Sequence, residues 1–182
     1  RGARWRDSDD LLLAQCRDPP GVVAELAQDG VGVLAERRYG IHPWRHALQG
    51  EGLAIGARVA ILLGNSVEWV CMDQAALSLG LVPVPLYTTD NPENIAYILG
   101  NSGASVLLLE SAVQWAALLP HRPAFPTLTK VLCLQCADAP ALTASSMFAR
   151  VDAWLAAPGP LGAMSEWHLS DDPDALATLV YT

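Results

Sequence analysis

Apolar residues in the middle of the chain come in short blocks that are separated by longer amphipathic stretches. Three blocks rich in Val, Ile and Leu occupy residues 59–63, 82–86 and 105–109. None of them shows the one-by-one alternation of a half-exposed strand, and such runs are typical of strands buried on both faces of a sheet. Residues 130–134 and 177–181 repeat the pattern. These five runs are therefore predicted to be strands.

Helical patterns fill the intervals between these runs. Residues 67–79 form a largely apolar helix, and a second helix begins where Asn91 can cap it, Pro92 suits its first position and Glu93 complements its dipole. The Asn-Ser-Gly cluster at 101–103 ends that helix. Further helical patterns cover residues 43–52, 111–119 and 146–156, and prolines at 120, 123 and 126 predict a rigid connection.

This order of elements predicts the fold class. Parallel strands need crossover connections, which helices of this length supply. The sequence therefore predicts an α/β fold: a doubly wound, mainly parallel sheet with helices on both faces.

Composition narrows the classes of partner. Of 182 residues, 52% are hydrophobic and 16% are charged, which indicates a folded core. The net charge of −8 and the pI of about 4.8 argue against a nucleic-acid partner, because phosphate binding depends on Lys and Arg. No apolar run reaches the length of about 18 residues that spans a bilayer, so we expect no transmembrane segment and a cytoplasmic location.

Three other signals have plain explanations. Cys133 and Cys136 have the spacing of a redox or metal half-site, but no second pair accompanies them, so buried reduced thiols are favoured. The G-x-G-x-x-A pattern at 30–35 lacks a preceding strand, which favours a turn over a dinucleotide site. Trp69 and Tyr87 either face a ligand or pack in the core, and packing is the favoured alternative.

Several segments resemble successive landmarks of the adenylate-forming acyl-CoA synthetases, in their order and their spacing. They are Gly-Ala-Arg-Val-Ala-Ile at 56–61, Asn-Ser-Val-Glu-Trp at 65–69, Leu-Gly at 79–80 with Val-Pro-Val-Pro-Leu-Tyr at 82–87, and Glu-Asn-Ile-Ala-Tyr-Ile-Leu at 93–99. The Pro-x-Tyr-x-Thr turn at 85–89 most resembles the branch of long-chain fatty acyl-CoA ligases. The resemblance covers residues 43–182 and implies the amino-terminal subdomain of an AMP-binding domain. Residues 1–42 match the family poorly.

The resemblance also marks a candidate site near residue 182. Residues 174–182 are similar to the strand that leads into the family's phosphate-binding loop, Tyr-Thr-Ser-Gly-Thr-Thr-Gly followed by a lysine. In such a loop, backbone N–H groups and hydroxyls hold the ATP phosphates. Tyr181 and Thr182 match its first two residues, and they are the candidate cofactor-binding residues. The resemblance implies that the rest of the loop, the catalytic residues and the metal ligands lie downstream, so we expect no catalytic or metal-binding residue in this chain.

The implied activity is that of a long-chain fatty acid–CoA ligase, with ATP, Mg²⁺ and CoA as the cofactors of the longer enzyme. The resemblance implies that fatty acid and ATP give an acyl-adenylate, from which the thiol of CoA displaces AMP. We expect the 182 residues alone to be inactive and to bind none of these cofactors tightly. Alternatives are a stand-alone interaction module that self-associates, another adenylate-forming ligase, and an unrelated nucleotide-binding domain. Peripheral membrane contact remains open.

Overall fold

The computed structural model describes residues 40–136, 147–157 and 175–181. Its elements are α1 (Ile41–Gly50), β1 (Arg58–Leu62), α2 (Val67–Ser78), β2 (Val82–Pro85), α3 (Pro92–Ser102), β3 (Val106–Ser111), α4 (Ala112–Leu118), a 3₁₀ helix (Leu119–Ala124), β4 (Lys130–Gln135), β5 (Phe148–Arg150) and α5 (Val151–Ala156). The G-x-G-x-x-A pattern at 30–35 and most of the segment 1–42 lie outside the described residues.

The five strands form one parallel sheet in the order β2-β1-β3-β4-β5. The chain leaves β1 through α2 to reach β2, and then returns through α3 past β1 to reach β3. The predicted parallel α/β sheet is thereby confirmed. Because consecutive connections lead to opposite sides of β1, the strand order reverses there, and this reversal defines a doubly wound sheet.

Side chains on the two faces of the sheet belong to two separate cores. Ala60 and Leu62 of β1 pack on one face with apolar residues of α3 and α4. Val59 and Ile61 pack on the other face with residues of α1, α2 and α5. All four side chains are at most 1% exposed. Burial on both faces explains why β1 reads as an unbroken apolar run.

The end of α3 is fixed to the start of β1. Gly103 takes a left-handed conformation (φ +64°) as the C-cap of α3, as the Asn-Ser-Gly cluster predicts. Arg58 Nε then donates to the Ser102 carbonyl at 2.5 Å, and Arg58 Nη1 donates to the Gly56 carbonyl at 3.1 Å. At the other end, the Asn91 side chain accepts from the Asn94 amide at 2.8 Å, so the predicted cap is confirmed.

A polar network ties three elements together at the amino end of β4. Glu51 follows α1, and its Oε1 accepts from Trp154 Nε1 of α5 at 2.7 Å. The same oxygen lies 3.1 Å from Lys130 Nζ at the start of β4. The ring of Trp154 also packs edge-on against Trp44, with centroids 5.9 Å apart. A charged group with two partners thus joins α1, α5 and the sheet.

One predicted helix differs from the structure. The helix predicted at 146–156 begins only at Val151, because Phe148–Arg150 pairs with β4 as a fifth strand and buries Phe148 against the sheet. In the connection predicted at the prolines, Pro120 and Pro123 lie within a 3₁₀ helix. Within a 3₁₀ turn, the fixed φ of proline is acceptable where no N–H is needed.

The strand predicted at 177–181 is also not formed. The described part of this segment has no regular secondary structure. It lies beside β2, where the Leu179 amide donates to the Pro83 carbonyl at 3.0 Å, but it makes no regular ladder. The reason lies in β2, since Pro83 and Pro85 have no N–H to donate.

No helix within residues 40–136, 147–157 and 175–181 has the length and apolar character that a membrane span requires.

We predict that Gly100→Ala destabilises the protein, because a Cβ at this position of α3 would overlap the carbonyl oxygen of Ala124 in the 3₁₀ helix. The expected loss in the free energy of unfolding is about 1–3 kcal/mol, as for other overpacked sites. Urea denaturation measures it. Gly64→Ala is the matched control, since nothing lies within 4 Å of its added methyl group. Equal stability of the two variants contradicts the prediction.

A second prediction concerns Asp73 in α2. Burial raises the pKa of its carboxyl above the ordinary value, although a hydrogen bond from Gln74 opposes the rise. The ionised form is therefore costlier in the folded protein, and stability falls as the pH rises through this raised pKa. Asp73→Asn is expected to be more stable than wild type at pH 7, by less than about 1 kcal/mol because the group is partly solvated.

This gain should shrink as the pH falls toward about 3.9, the ordinary value of an aspartate. Urea titrations from pH 4 to pH 8 measure the difference. Asp152→Asn serves as the control, because Asp152 lies on the surface 3.7 Å from Arg150 and its neutralisation relieves no burial. A gain at pH 7 that is equal for both variants would refute the assignment to Asp73.

Candidate functional site

A cavity of about 340 Å³ opens at the carboxyl ends of β1 and β2. Its walls come from residues 63–65 and Trp69 after β1, from residues 85–88 after β2, and from Val180 near the other end of the described chain. The carboxyl ends of parallel strands are where α/β sheets bind ligands, because the loops that leave the strands diverge there. The cavity is therefore the leading candidate site among the described residues.

The first wall depends on the start of α2. Ser66 caps this helix, and its hydroxyl oxygen accepts from the Trp69 amide at 3.2 Å. The cap sets the direction in which the chain enters α2 and so places Asn65 and the half-buried Trp69 at the cavity. Trp69 is thus both a packing residue and a wall of the cavity.

The second wall follows β2. Tyr87 is 58% exposed and lines the cavity beside Thr88. The favoured prediction that Tyr87 serves only for packing is therefore wrong. The reason is its position two residues after the end of β2, where the chain has left the covered part of the sheet.

The third wall is supplied by Val180 of the segment 175–181. The Val82 and Leu86 amides donate to the carbonyls of Ala57 and Ile61, on the side of β1. The backbone groups of the alternate residues of β2, which are prolines, therefore face the outer edge of the sheet. The carbonyl oxygen of Pro83 accepts there from the Leu179 amide and from Thr178 Oγ1, both at 3.0 Å. This pair of bonds holds the segment beside β2.

Tyr181, one of the two candidate residues, lies at the end of this segment. Its ring packs against the core that contains α3, and its hydroxyl donates to Asn101 Oδ1 of α3 at 2.7 Å. Thr182, the other candidate residue, lies outside the described residues. Val180 lines the cavity, whereas Tyr181 does not, so the structure places Tyr181 next to the cavity.

The chemistry of the cavity is neutral. Among the described residues that line it, none is charged, and the side-chain hydrogen-bonding groups come from Asn65, Trp69, Tyr87 and Thr88. In the described ranges, no three His, Cys, Asp or Glu side chains come together as a metal site. The described lining therefore fits a neutral or apolar group and does not by itself fit a triphosphate with its metal ion.

The cysteine pair at the end of β4 differs from the prediction. Cys133 and Cys136 form a disulfide with their Cα atoms 6.1 Å apart, so the prediction of reduced thiols is wrong for this pair. Side chains three residues apart on a regular strand point to opposite faces, but β4 ends at Gln135 and Cys136 is free to turn back. Cys71 of α2 is buried.

Sequence reasoning missed Asn65, Thr88 and Asn101. Asn65 and Thr88 follow neighbouring parallel strands, and that position is the signal that identifies them. Asn101 carried no such signal, because the Asn-Ser-Gly cluster is fully explained as the end of a helix. Its contact with Tyr181 joins residues 80 positions apart and depends on the tertiary fold.

Comparison with known families extends this picture. The model of the family described as AMP-binding enzyme matches residues 45–182. The chain belongs to this family. The match includes the segment that holds Tyr181, so the AMP-binding family covers both the sheet and the residues beside the cavity.

Curated relatives of this AMP-binding chain include fatty-acid ligases. It is 31% identical over 169 residues to the long-chain-fatty-acid–CoA ligase FadD15 of Mycobacterium bovis. The aligned region covers 91% of the chain and 27% of that protein. It is 42% identical over 57 residues to the long-chain-fatty-acid–CoA ligase FadD13 of Mycobacterium tuberculosis. This aligned region covers 31% of the chain and 11% of that protein. The chain thus spans about a quarter of the length of FadD15.

Solved structures agree with the AMP-binding fold. The adenylation domain of a carboxylate reductase from Mycobacterium chelonae superposes with a TM-score of 0.63 at 26% identity, covering 82% of this chain and 25% of that one. The parallel sheet and its helices are therefore those of adenylate-forming enzymes.

We predict that Ser66→Ala lowers the free energy of unfolding of this AMP-binding chain by about 1 kcal/mol, the usual cost of a lost N-cap. The cause is loss of the bond to the Trp69 amide. Thermal and urea denaturation measure the change. Ser66→Asp is the matched control, since it keeps a capping oxygen and adds a charge that suits the helix dipole. If Ser66→Asp is as unstable as Ser66→Ala, the cap is not the cause.

Proposed function

We propose that this chain is the amino-terminal part of a long-chain fatty acid–CoA ligase. The observation that carries the proposal is the alignment with FadD15, which runs through 91% of the chain and joins the fold to a named ligase. Residues 43–182 supply the amino-terminal subdomain of the AMP-binding domain in this proposal.

The reaction has two steps. The carboxylate oxygen of the fatty acid attacks the α-phosphorus of ATP, which forms the acyl-adenylate and releases pyrophosphate. The sulfur of CoA then attacks the acyl carbon, which forms the thioester and releases AMP. Mg²⁺ supplies charge neutralisation at the phosphates when it is bound. Among the described residues, no three His, Cys, Asp or Glu side chains come together. Neither chemical step is assigned to these residues.

In this proposal, the residues of the chain position the start of the phosphate-binding loop and part of a substrate. Tyr181 and Thr182 begin the loop that holds the ATP phosphates, and the bonds of Thr178 and Leu179 to Pro83 support the segment that leads to it. The neutral cavity beside Val180 accommodates an uncharged part of a substrate. ATP, CoA and the fatty acid are the proposed ligands of the longer protein.

The test uses the complete protein that contains these 182 residues. We expect AMP release that requires ATP, CoA and a long-chain fatty acid together, measured with a coupled assay. Acetate and an aromatic acid are the matched substrate controls. If the aromatic acid supports AMP release and the long-chain fatty acid does not, the protein is another adenylate-forming ligase. If no acid supports AMP release, the non-catalytic alternative is favoured. Either result overturns the proposal.

A further inference from the structure

The carboxyl end of α3 is held in place from three sides. Gly100 packs so closely on Ala124 of the 3₁₀ helix that no Cβ fits between them. Arg58 of β1 donates to the Ser102 carbonyl at 2.5 Å, and Gly103 closes the helix in a left-handed conformation. Asn101 lies between these fixed points, and its own side chain is exposed. It is therefore a polar group on a rigid support.

The segment 175–181 has fewer constraints than a strand of the sheet. The Leu179 amide and Thr178 Oγ1 both use the same acceptor, the Pro83 carbonyl. The prolines of β2 cannot donate in return, so they cannot complete a ladder along this segment. Beyond Leu179, Tyr181 locates the chain through the packing of its ring and through the 2.7 Å hydrogen bond to Asn101 Oδ1.

We propose that Asn101 is a positioning residue of the adenylation reaction, which acts by holding Tyr181. The inference rests on the proposed function, in which Tyr181 and Thr182 begin the phosphate-binding loop. The hydrogen bond ties the residue from which that loop departs to the end of α3, which contacts β1 and the 3₁₀ helix. Placement errors of about 1 Å are enough to slow a reaction that depends on alignment of reacting groups. Asn101 touches neither substrate nor the reacting atoms in this role.

The experiment uses the complete protein and the variants Asn101→Leu, Tyr181→Phe and the double variant. We expect each single variant to lower kcat/KM for ATP in acyl-adenylate formation roughly three- to tenfold, which corresponds to the loss of one hydrogen bond. The kcat/KM for CoA should not change, because it depends only on the second step, in which CoA reacts with the acyl-adenylate already formed. The double variant should be no slower than either single variant, since both remove the same bond.

Two further variants separate positioning from folding. Asn101→Asp keeps an acceptor oxygen for the Tyr181 hydroxyl and is expected to restore most of kcat/KM for ATP. Tyr97→Phe removes a hydroxyl from the same helix at a side chain that is 64% exposed, and it should leave the kinetics unchanged. Thermal denaturation and titration of active sites correct for any loss of folded protein.

The outcomes distinguish the inference from the proposed function. Unchanged kcat/KM in both single variants, multiplicative losses in the double variant, or a loss that only mirrors the fraction of folded protein overturns the role of Asn101. If the unmodified protein forms no acyl-adenylate, the proposed function is wrong and the inference falls with it. The role of Asn101 is supported if Asn101→Leu and Tyr181→Phe both lower kcat/KM for ATP while Asn101→Asp keeps most of it.

Discussion

Burial of the central strands on both faces is the constraint on which the rest of the structure depends. The side chains of residues 59–62 in β1 and 106–109 in β3 are at most 1% exposed. Each strand must therefore be covered from both sides, and helices from successive crossovers supply the cover. Because α2 and α3 lie on opposite faces, the chain has to reverse direction across the sheet at β1. That reversal is what opens the carboxyl edge to form a cavity.

The cavity and the segment beside it share one support. Pro83 shapes the outer edge of β2 and accepts the two hydrogen bonds that hold residues 178 and 179. The same segment brings Val180 to the cavity and Tyr181 to α3. The substrate-sized space and the proposed phosphate loop are thus placed by a single edge of the sheet. A substitution at that edge is therefore expected to displace both the cavity wall and the start of the proposed loop.

Much of this fold could be predicted from local patterns, for identifiable reasons. The runs at 59–63 and 105–109 are apolar because both of their faces are covered, so an unbroken apolar run directly predicts a strand that is buried on both faces. Asn91 and Gly103 mark the ends of α3 because a side-chain cap and a left-handed glycine depend only on residues nearby in the sequence. By contrast, the pattern around Phe148 predicts a helix, because its apolar neighbours fit a helical stripe. Only pairing with the edge of β4 makes it a strand.

The site was less predictable than the fold. Only a family resemblance identifies Tyr181 as a candidate, and no local pattern identifies its partner. Asn101 meets it only when α3 and the segment 175–181 are folded against the same core. The disulfide of Cys133 likewise depends on how the chain turns after β4. Contacts between distant residues thus set the details that the sequence leaves open.

The prolines of β2 have a consequence for how such a chain is made. An open strand edge offers N–H and C=O groups that another polypeptide can pair with, which is a route to aggregation. Pro83 and Pro85 remove the donors from this edge, so an incoming strand finds acceptors without the matching N–H groups. During synthesis, residues 82–85 leave the ribosome before residues 175–181, which lie beside them in the folded protein. During that interval, a donor-free edge makes pairing with a neighbouring chain less favourable.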